Sequence, residues 1–90
     1  MNEQQWIEKL EAEGYRDLTV FTNGADAVFG EHTHHVTTVH VILKGALITQ
    51  ENGQERVIKQ GERFEFPAGT THTAKCGPDG CTMIVGIKGK

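Results

Sequence analysis

From Tyr15 onward, the sequence consists of short runs of β-branched and aromatic residues separated by glycine, proline, asparagine and aspartate. This alternation is typical of short antiparallel strands joined by tight turns. The runs predict strands at Leu18–Thr22, Ala25–Glu31, Val36–Leu43, Ala46–Glu51, Gln54–Lys59, Arg63–Phe66, Thr71–Cys76 and Thr82–Ile87. Asn52-Gly53 is a type I′ turn signal and predicts a hairpin between two of them. So many short strands favour an antiparallel sandwich or barrel, because closure of the sheet protects its edges.

The N-terminal segment predicts a short helix. Asn2 is a suitable N-cap with Gln5 as its capping-box partner, and Gly14 is placed to end the helix. The apolar residues with helical spacing are Trp6, Ile7 and Leu10. We therefore expect residues 1–14 to form a helix appended to a β domain over residues 15–90.

Length and charge limit the classes of partner. The chain has 90 residues, enough for one domain with a small core that a metal ion or dimerisation would help to stabilise. Its 9 basic and 12 acidic residues give a net charge of −3, and no basic cluster favours nucleic acid as a partner. No apolar run approaches the roughly 18 residues of a membrane span, and no signal peptide is evident. These features predict a soluble, cytoplasmic protein that binds neither nucleic acid nor membrane.

Four histidines are spaced as ligands of one metal site. His32 and His34 are two residues apart, so on an extended strand their imidazoles point to the same face. His72 follows the turn Pro67-Ala68-Gly69-Thr70-Thr71, which sets the direction of the strand that begins there. His40 has the parity of His32 and His34, so an unbulged strand would turn it inward as well. Because imidazole is the commonest neutral metal ligand, these residues predict a site for a divalent metal ion.

Two motifs give the sequence a resemblance to the cupin family of small jelly-roll barrels. The first family motif, G-x5-H-x-H-x3-4-E-x6-G, is matched between Gly30 and Gly45 by both histidines and the closing glycine, while the opening glycine does not keep its spacing. The second, G-x5-P-x-G-x2-H-x3-N, is matched in register by Gly61, Pro67, Gly69 and His72, with Cys76 at its last position. The resemblance implies an all-β fold, an antiparallel jelly-roll β-barrel with one short N-terminal helix.

The glutamate of the first motif is replaced by Thr38, whose hydroxyl is a poor ligand for a divalent metal. Two ligand sets then stay open. His32, His34 and His72 alone resemble the carboxylate-free sites of some cupin dioxygenases. Alternatively, His40 supplies a fourth imidazole, although a histidine hydrogen-bonded inside the barrel without touching the metal fits its position equally well. The ligands do not decide between iron, zinc, manganese and nickel.

A further set of residues is predicted to line the barrel interior. The pocket-lining residues are Thr38, Cys76, Phe64, Phe66 and Met83, with Phe21, Phe29 and Val85 completing the apolar lining. Cys76 and Cys81 bracket the turn Gly77-Pro78-Asp79-Gly80, and across a hairpin their side chains would come within disulfide reach. A reducing cytosol favours two free, buried thiols instead.

Two classes of function follow from such a site. The first is a metal-dependent dioxygenase acting on a small organic molecule, because three neutral ligands leave coordination positions open for substrate and dioxygen. The second is a metal-containing module that binds or senses a small ligand without turnover, since no general acid or base stands beside the histidines in sequence. A sugar isomerase or epimerase would need an acid and base pair and ranks last. The resemblance also implies a homodimer, with Trp6 as an interface anchor.

Overall fold

The computed structural model describes residues 1–89, which form one helix and six strands. Helix α1 spans Glu3–Ala12, and the strands are β1 (Arg16–Asn23), β2 (Val28–Thr33), β3 (Thr37–Glu51), β4 (Gln54–Lys59), β5 (Arg63–Phe66) and β6 (Thr71–Lys88). Every pairing between strands is antiparallel. Within residues 1–89, no helix has the length and apolar character needed to span a bilayer.

The two longest strands, β3 and β6, pair with each other and extend through both halves of the sheet. In one half, β3 also pairs with β5 and β6 with β1. In the other half, β3 pairs with β4 and β6 with β2. Two shared strands that each cross between the halves produce a barrel-like sheet, and the predicted all-β jelly-roll fold with one short helix is confirmed.

Two predicted strand boundaries are bends within these long strands. Gly45 lies inside β3 at a shift in register, with a φ of 75°, and an added Cβ would overlap the carbonyl oxygen of Gly80. Facing it, the predicted turn at residues 77–80 is an irregularity within β6 and not a hairpin. Cys76 and Cys81 therefore lie on one strand, not opposite each other across a turn, and both are buried free thiols.

Apolar side chains form two buried clusters. The first contains Ile42, Leu47, Ile58, Ala74, Cys76, Cys81 and Met83, and the second contains Trp6, Leu10, Tyr15, Val39, Val41 and Ile84. The second cluster joins α1 to the sheet, and Trp6 is only 8% exposed within it. The Trp6 side chain is thus buried in the core of its own domain, so its predicted role as an interface anchor is wrong. The predicted interior position of Phe21 is also wrong, because β1 is an edge strand and leaves this side chain 45% exposed.

The predicted helix cap is confirmed. The Asn2 side chain accepts a hydrogen bond from the Gln5 backbone N–H at 2.8 Å, and the Gln5 side chain accepts one from the Asn2 backbone at 3.0 Å. After the helix, Glu13 makes two hydrogen bonds with the Arg63 guanidinium, at 2.8 and 3.0 Å. Arg63 also contacts Glu65 at 2.8 Å, so one arginine joins the end of α1 to β5.

Glu13→Gln is expected to lower the free energy of unfolding by about 1 kcal/mol at pH 7, the size of a well-oriented but partly exposed ion pair. The Arg63 hydrogen bonds lower the pKa of Glu13 from 4.5 to about 2. Because the unfolded chain takes up the proton first, this stabilisation is present above pH 4.5 and is lost as the pH falls toward 2. Urea denaturation of wild type and variant should show that the difference between their free energies of unfolding shrinks as the pH is lowered through this range. Glu11→Gln, which alters an exposed side chain of the same helix, should have no such effect.

Candidate metal centre

The ends of two neighbouring strands bring three of the predicted histidines together. His32 on β2 and His72 on β6 are direct partners across the sheet. His34 lies just after β2, where its N–H donates to the Thr70 carbonyl at 2.9 Å and its carbonyl accepts from the Gly69 N–H at 2.7 Å. The turn before β6 therefore holds His34 beside the strand that carries His72. One ligand nitrogen from each of the three histidines lies within 4.8 Å of the others.

Backbone carbonyls orient two of these rings. Nδ1 of His32 lies 2.9 Å from the carbonyl oxygen of Gly30, and Nδ1 of His72 lies 3.2 Å from that of Thr73. A neutral imidazole that donates its Nδ1–H in this way keeps the lone pair of Nε2 free for a metal. The Nε2 atoms of His34 and His72 are 2.5 Å apart, so these two ring nitrogens face each other.

Burial keeps the imidazoles in the form that binds metals. The pKa of His34 is lowered from 6.5 to about 4 by burial first, and then by the neighbouring His72 and His32. Burial is also the largest cause of the lowered pKa of His72, where the Thr73 hydrogen bond acts in the opposite direction. Both rings are therefore neutral at physiological pH, as ligation requires.

Phe66 forms the apolar wall of the site. Its ring stacks on His72 with centroids 4.0 Å apart, and it lies 5.3 Å from the rings of both His34 and His40. Among the other residues predicted to line the pocket, Cys76 and Met83 belong to the first buried cluster, and Phe64 packs against that cluster. The buried Thr38 hydroxyl donates to the Val36 carbonyl at 3.1 Å. Their contact with a bound ligand stays a prediction.

His40 reaches the same region from β3. It is 7% exposed, its ring centroid lies 6.0 Å from that of His34, and its Nδ1 has no hydrogen-bond partner within residues 1–89. Burial lowers its pKa from 6.5 to about 3, and the other three histidines add to the shift. The chain leaves β2 before β3 begins, so tertiary pairing rather than continuous strand parity brings His40 here. His40 is not in the group of three, and its role as a fourth ligand stays a prediction.

Glu51 is a neighbour of the site that the sequence did not predict. It is half-buried at the end of β3 and lines a cleft of about 360 Å³ together with His72. Its charge raises the pKa of His72, against the larger opposing effect of burial. The Asn52-Gly53 turn fixes the pairing of β3 with β4, but only the pairing of β3 with β6 places Glu51 near a histidine.

The residues present fit a divalent metal ion. His32, His34 and His72 offer three neutral nitrogen donors, a set that suits zinc, iron, nickel or manganese bound with open positions. Zinc and similar ions need donor nitrogens about 2.0–2.1 Å away, and the three rings converge closely enough to provide them after small side-chain adjustments. The structure thus combines a candidate metal site with a barrel whose walls hold it in place.

Known structures with similar folds cover most of the chain. A conserved protein of unknown function from Streptococcus pyogenes is 20% identical, with a TM-score of 0.71, over 81% of this chain and 64% of its own. A cupin superfamily protein from Desulfitobacterium hafniense is 16% identical, with a TM-score of 0.71, over 80% of this chain and 66% of its own. KdgF from Halomonas sp. is 17% identical, with a TM-score of 0.62, over 89% of this chain and 90% of its own. At these identities the likeness establishes the fold.

Sequence comparison identifies the family directly. No curated protein matches the chain. The cupin domain family matches residues 19–85, which include both histidine motifs and nearly all of the barrel. The chain spans slightly less than two thirds of the length of the first two structural relatives. The match to the family covers well over half of the sequence, and the protein is therefore a member of the cupin domain family.

Proposed function

We propose that the protein binds one divalent metal ion through His32, His34 and His72 and acts as a metal-dependent dioxygenase on a small organic molecule. The convergence of three imidazole nitrogens within 4.8 Å carries the proposal. A bound ion would supply a Lewis acid or, as iron, a centre for dioxygen chemistry. Three neutral protein ligands leave coordination positions free for exogenous molecules.

The residues around the three histidines have separate tasks in this proposal. The Gly30 and Thr73 carbonyls fix the orientation of the His32 and His72 rings. Phe66 covers one side of His72 and excludes water from it. The cleft beside His72 has a volume of about 360 Å³, the size of a small-molecule site.

Oxygen uptake tests the dioxygenase proposal. We expect metal-free protein loaded anaerobically with iron(II) to consume oxygen in the presence of one member of a panel of thiols, diketones and phenols. His32→Ala protein treated in the same way should show only the background rate of free iron. Absence of substrate-dependent uptake across the panel, in protein holding one iron per chain, would exclude this reaction for the classes tested.

A second candidate is a module that binds a small molecule at the metal without turnover. It is favoured by the composition of the converging group, which within residues 1–89 consists of three imidazoles and includes no carboxylate. Such a group has no separate proton donor or acceptor for catalysis. Native mass spectrometry distinguishes the candidates, because a binding module returns its ligand with unchanged mass whereas an enzyme releases a product.

A further inference from the structure

The pairing of three strands places a glutamate beside the histidines. His32 is the cross-strand partner of His72, and on the other side of β6 the last recorded pair with β3 joins Gln50 to Thr73. The next position in that antiparallel register sets Glu51 opposite His72. Side chains of directly opposed residues lie on the same face, with Cβ atoms about 4.5–5.5 Å apart. Glu51, His72 and His32 therefore form one row across the end of the barrel.

The environment of Glu51 leaves its charge available. Within residues 1–89, the ion pairs of the structure do not include Glu51. Arg56 lines a neighbouring cleft with it, but the guanidinium of Arg56 lies over the Phe64 ring, 4.2 Å from the centroid. Glu51 is also half-buried, so water screens its charge less than that of an exposed carboxylate. A nearby cation would therefore stabilise the charged form of this half-buried carboxylate, which has no basic partner among these ion pairs.

We propose that Glu51 provides the carboxylate of the metal centre, binding the ion from the end of β3 in place of the motif glutamate that Thr38 replaces. The inference rests on the proposed metal site. Its electrostatic reason is that three neutral imidazoles leave the full charge of a divalent ion uncompensated, whereas a glutamate reduces the net charge and adds an oxygen ligand. The Thr38 hydroxyl, which donates to the Val36 carbonyl, is neutral and does not supply this negative charge.

Binding requires the Glu51 side chain to turn toward the histidines, because its carboxylate does not belong to the converging group in the structure. The cleft that it shares with His72, about 360 Å³ in volume, gives the side chain room to do so. A glutamate has several rotatable bonds, and a divalent ion at the three nitrogens would attract its carboxylate. The ordering of Glu51 is thus coupled to metal binding.

Cobalt(II) is a suitable probe, because its affinity can be measured by chelator competition and its visible spectrum reports the ligand set. We expect Glu51→Gln to weaken cobalt(II) binding at least about tenfold, because the substitution removes the charge of a direct ligand, and losing even a supporting group of a metal site costs 10–100-fold. The visible bands of its cobalt(II) complex should shift in position and intensity relative to the wild type. The melting temperature of the metal-free variant should match that of metal-free wild type, because the substitution preserves the side-chain shape.

Glu55→Gln is the matched control. Glu55 is exposed on β4 and pairs with Gln50, so its side chain lies on the opposite face of the sheet from that of Glu51. Its substitution by glutamine makes the same change in net charge. Cobalt(II) affinity within twofold of wild type is expected for Glu55→Gln. The proposal is overturned if Glu51→Gln keeps wild-type affinity and spectrum, or if both variants weaken binding equally. Failure of the wild-type protein itself to bind cobalt(II) would instead contradict the metal site on which this inference rests.

Discussion

His32→Ala is expected to weaken binding of a divalent metal ion by more than about 100-fold, because loss of a direct ligand should exceed the 10–100-fold cost of losing a supporting group. His32 is exposed, so its removal should leave the barrel folded. The same substitution at His72, which is 3% exposed and stacked on Phe66, would combine metal loss with a packing defect. The affinities can be measured by calorimetric titration of metal-free protein with zinc(II) or cobalt(II), or by competition with a chelator.

His35→Ala is the control for this experiment. His35 is exposed and lies outside the converging group, although it is adjacent to His34 in sequence. Its substitution should change the affinity less than twofold. Equal losses in His32→Ala and His35→Ala would indicate nonspecific binding by surface imidazoles and would contradict a site built from His32, His34 and His72.

Gly45→Ala is expected to destabilise the domain by at least about 3 kcal/mol, a loss that can unfold a chain of this size at room temperature. Two effects add together. Gly45 has a φ of 75°, a conformation that costs other residues roughly 1–2 kcal/mol. The added Cβ would also overlap the Gly80 carbonyl oxygen, which is backbone of the facing strand and cannot move without disturbing the pairing of β3 with β6. Urea denaturation followed by circular dichroism measures the loss.

Gly53→Ala separates the two effects. Gly53 has a φ of 77°, nearly that of Gly45, but an added Cβ would meet no atom within 4 Å. Its substitution should therefore cost only the conformational part, roughly 1–2 kcal/mol. If Gly45→Ala were no more damaging than Gly53→Ala, close packing between the bends of β3 and β6 would not explain the closing glycine of the first motif.

Local signals in the sequence were sufficient for several elements. The Asn2 cap and the Asn52-Gly53 hairpin form as predicted, because each depends on residues that are close together in sequence. The bends at Gly45 and at residues 77–80 contain the same residue types as turns, but strand pairing on both sides of each bend keeps β3 and β6 continuous there. The tertiary arrangement likewise decided that Trp6 would be buried between α1 and the sheet and that Phe21 would lie on an edge strand.

The candidate site divides in the same way. Motif spacing identified His32, His34 and His72, and the structure brings these three together. Motif spacing did not identify Glu51, because Glu51 approaches His72 only through the pairing of β3 with β6. The two residues are more than twenty positions apart in sequence. His40 was found for an incomplete reason, since strand parity holds only along one strand and β2 ends at Thr33. Long-range register, unlike local spacing, is not encoded in any short segment.

Diffraction at the absorption edge of the bound metal tests the central claim most directly. Protein purified without an affinity tag would first undergo elemental analysis, and crystals would then be measured at the edge of the metal found. We expect one ion per chain about 2.0–2.1 Å from a ring nitrogen of each of His32, His34 and His72. An anomalous peak located away from these three rings, or crystals of metal-saturated protein without a peak among them, would contradict the account.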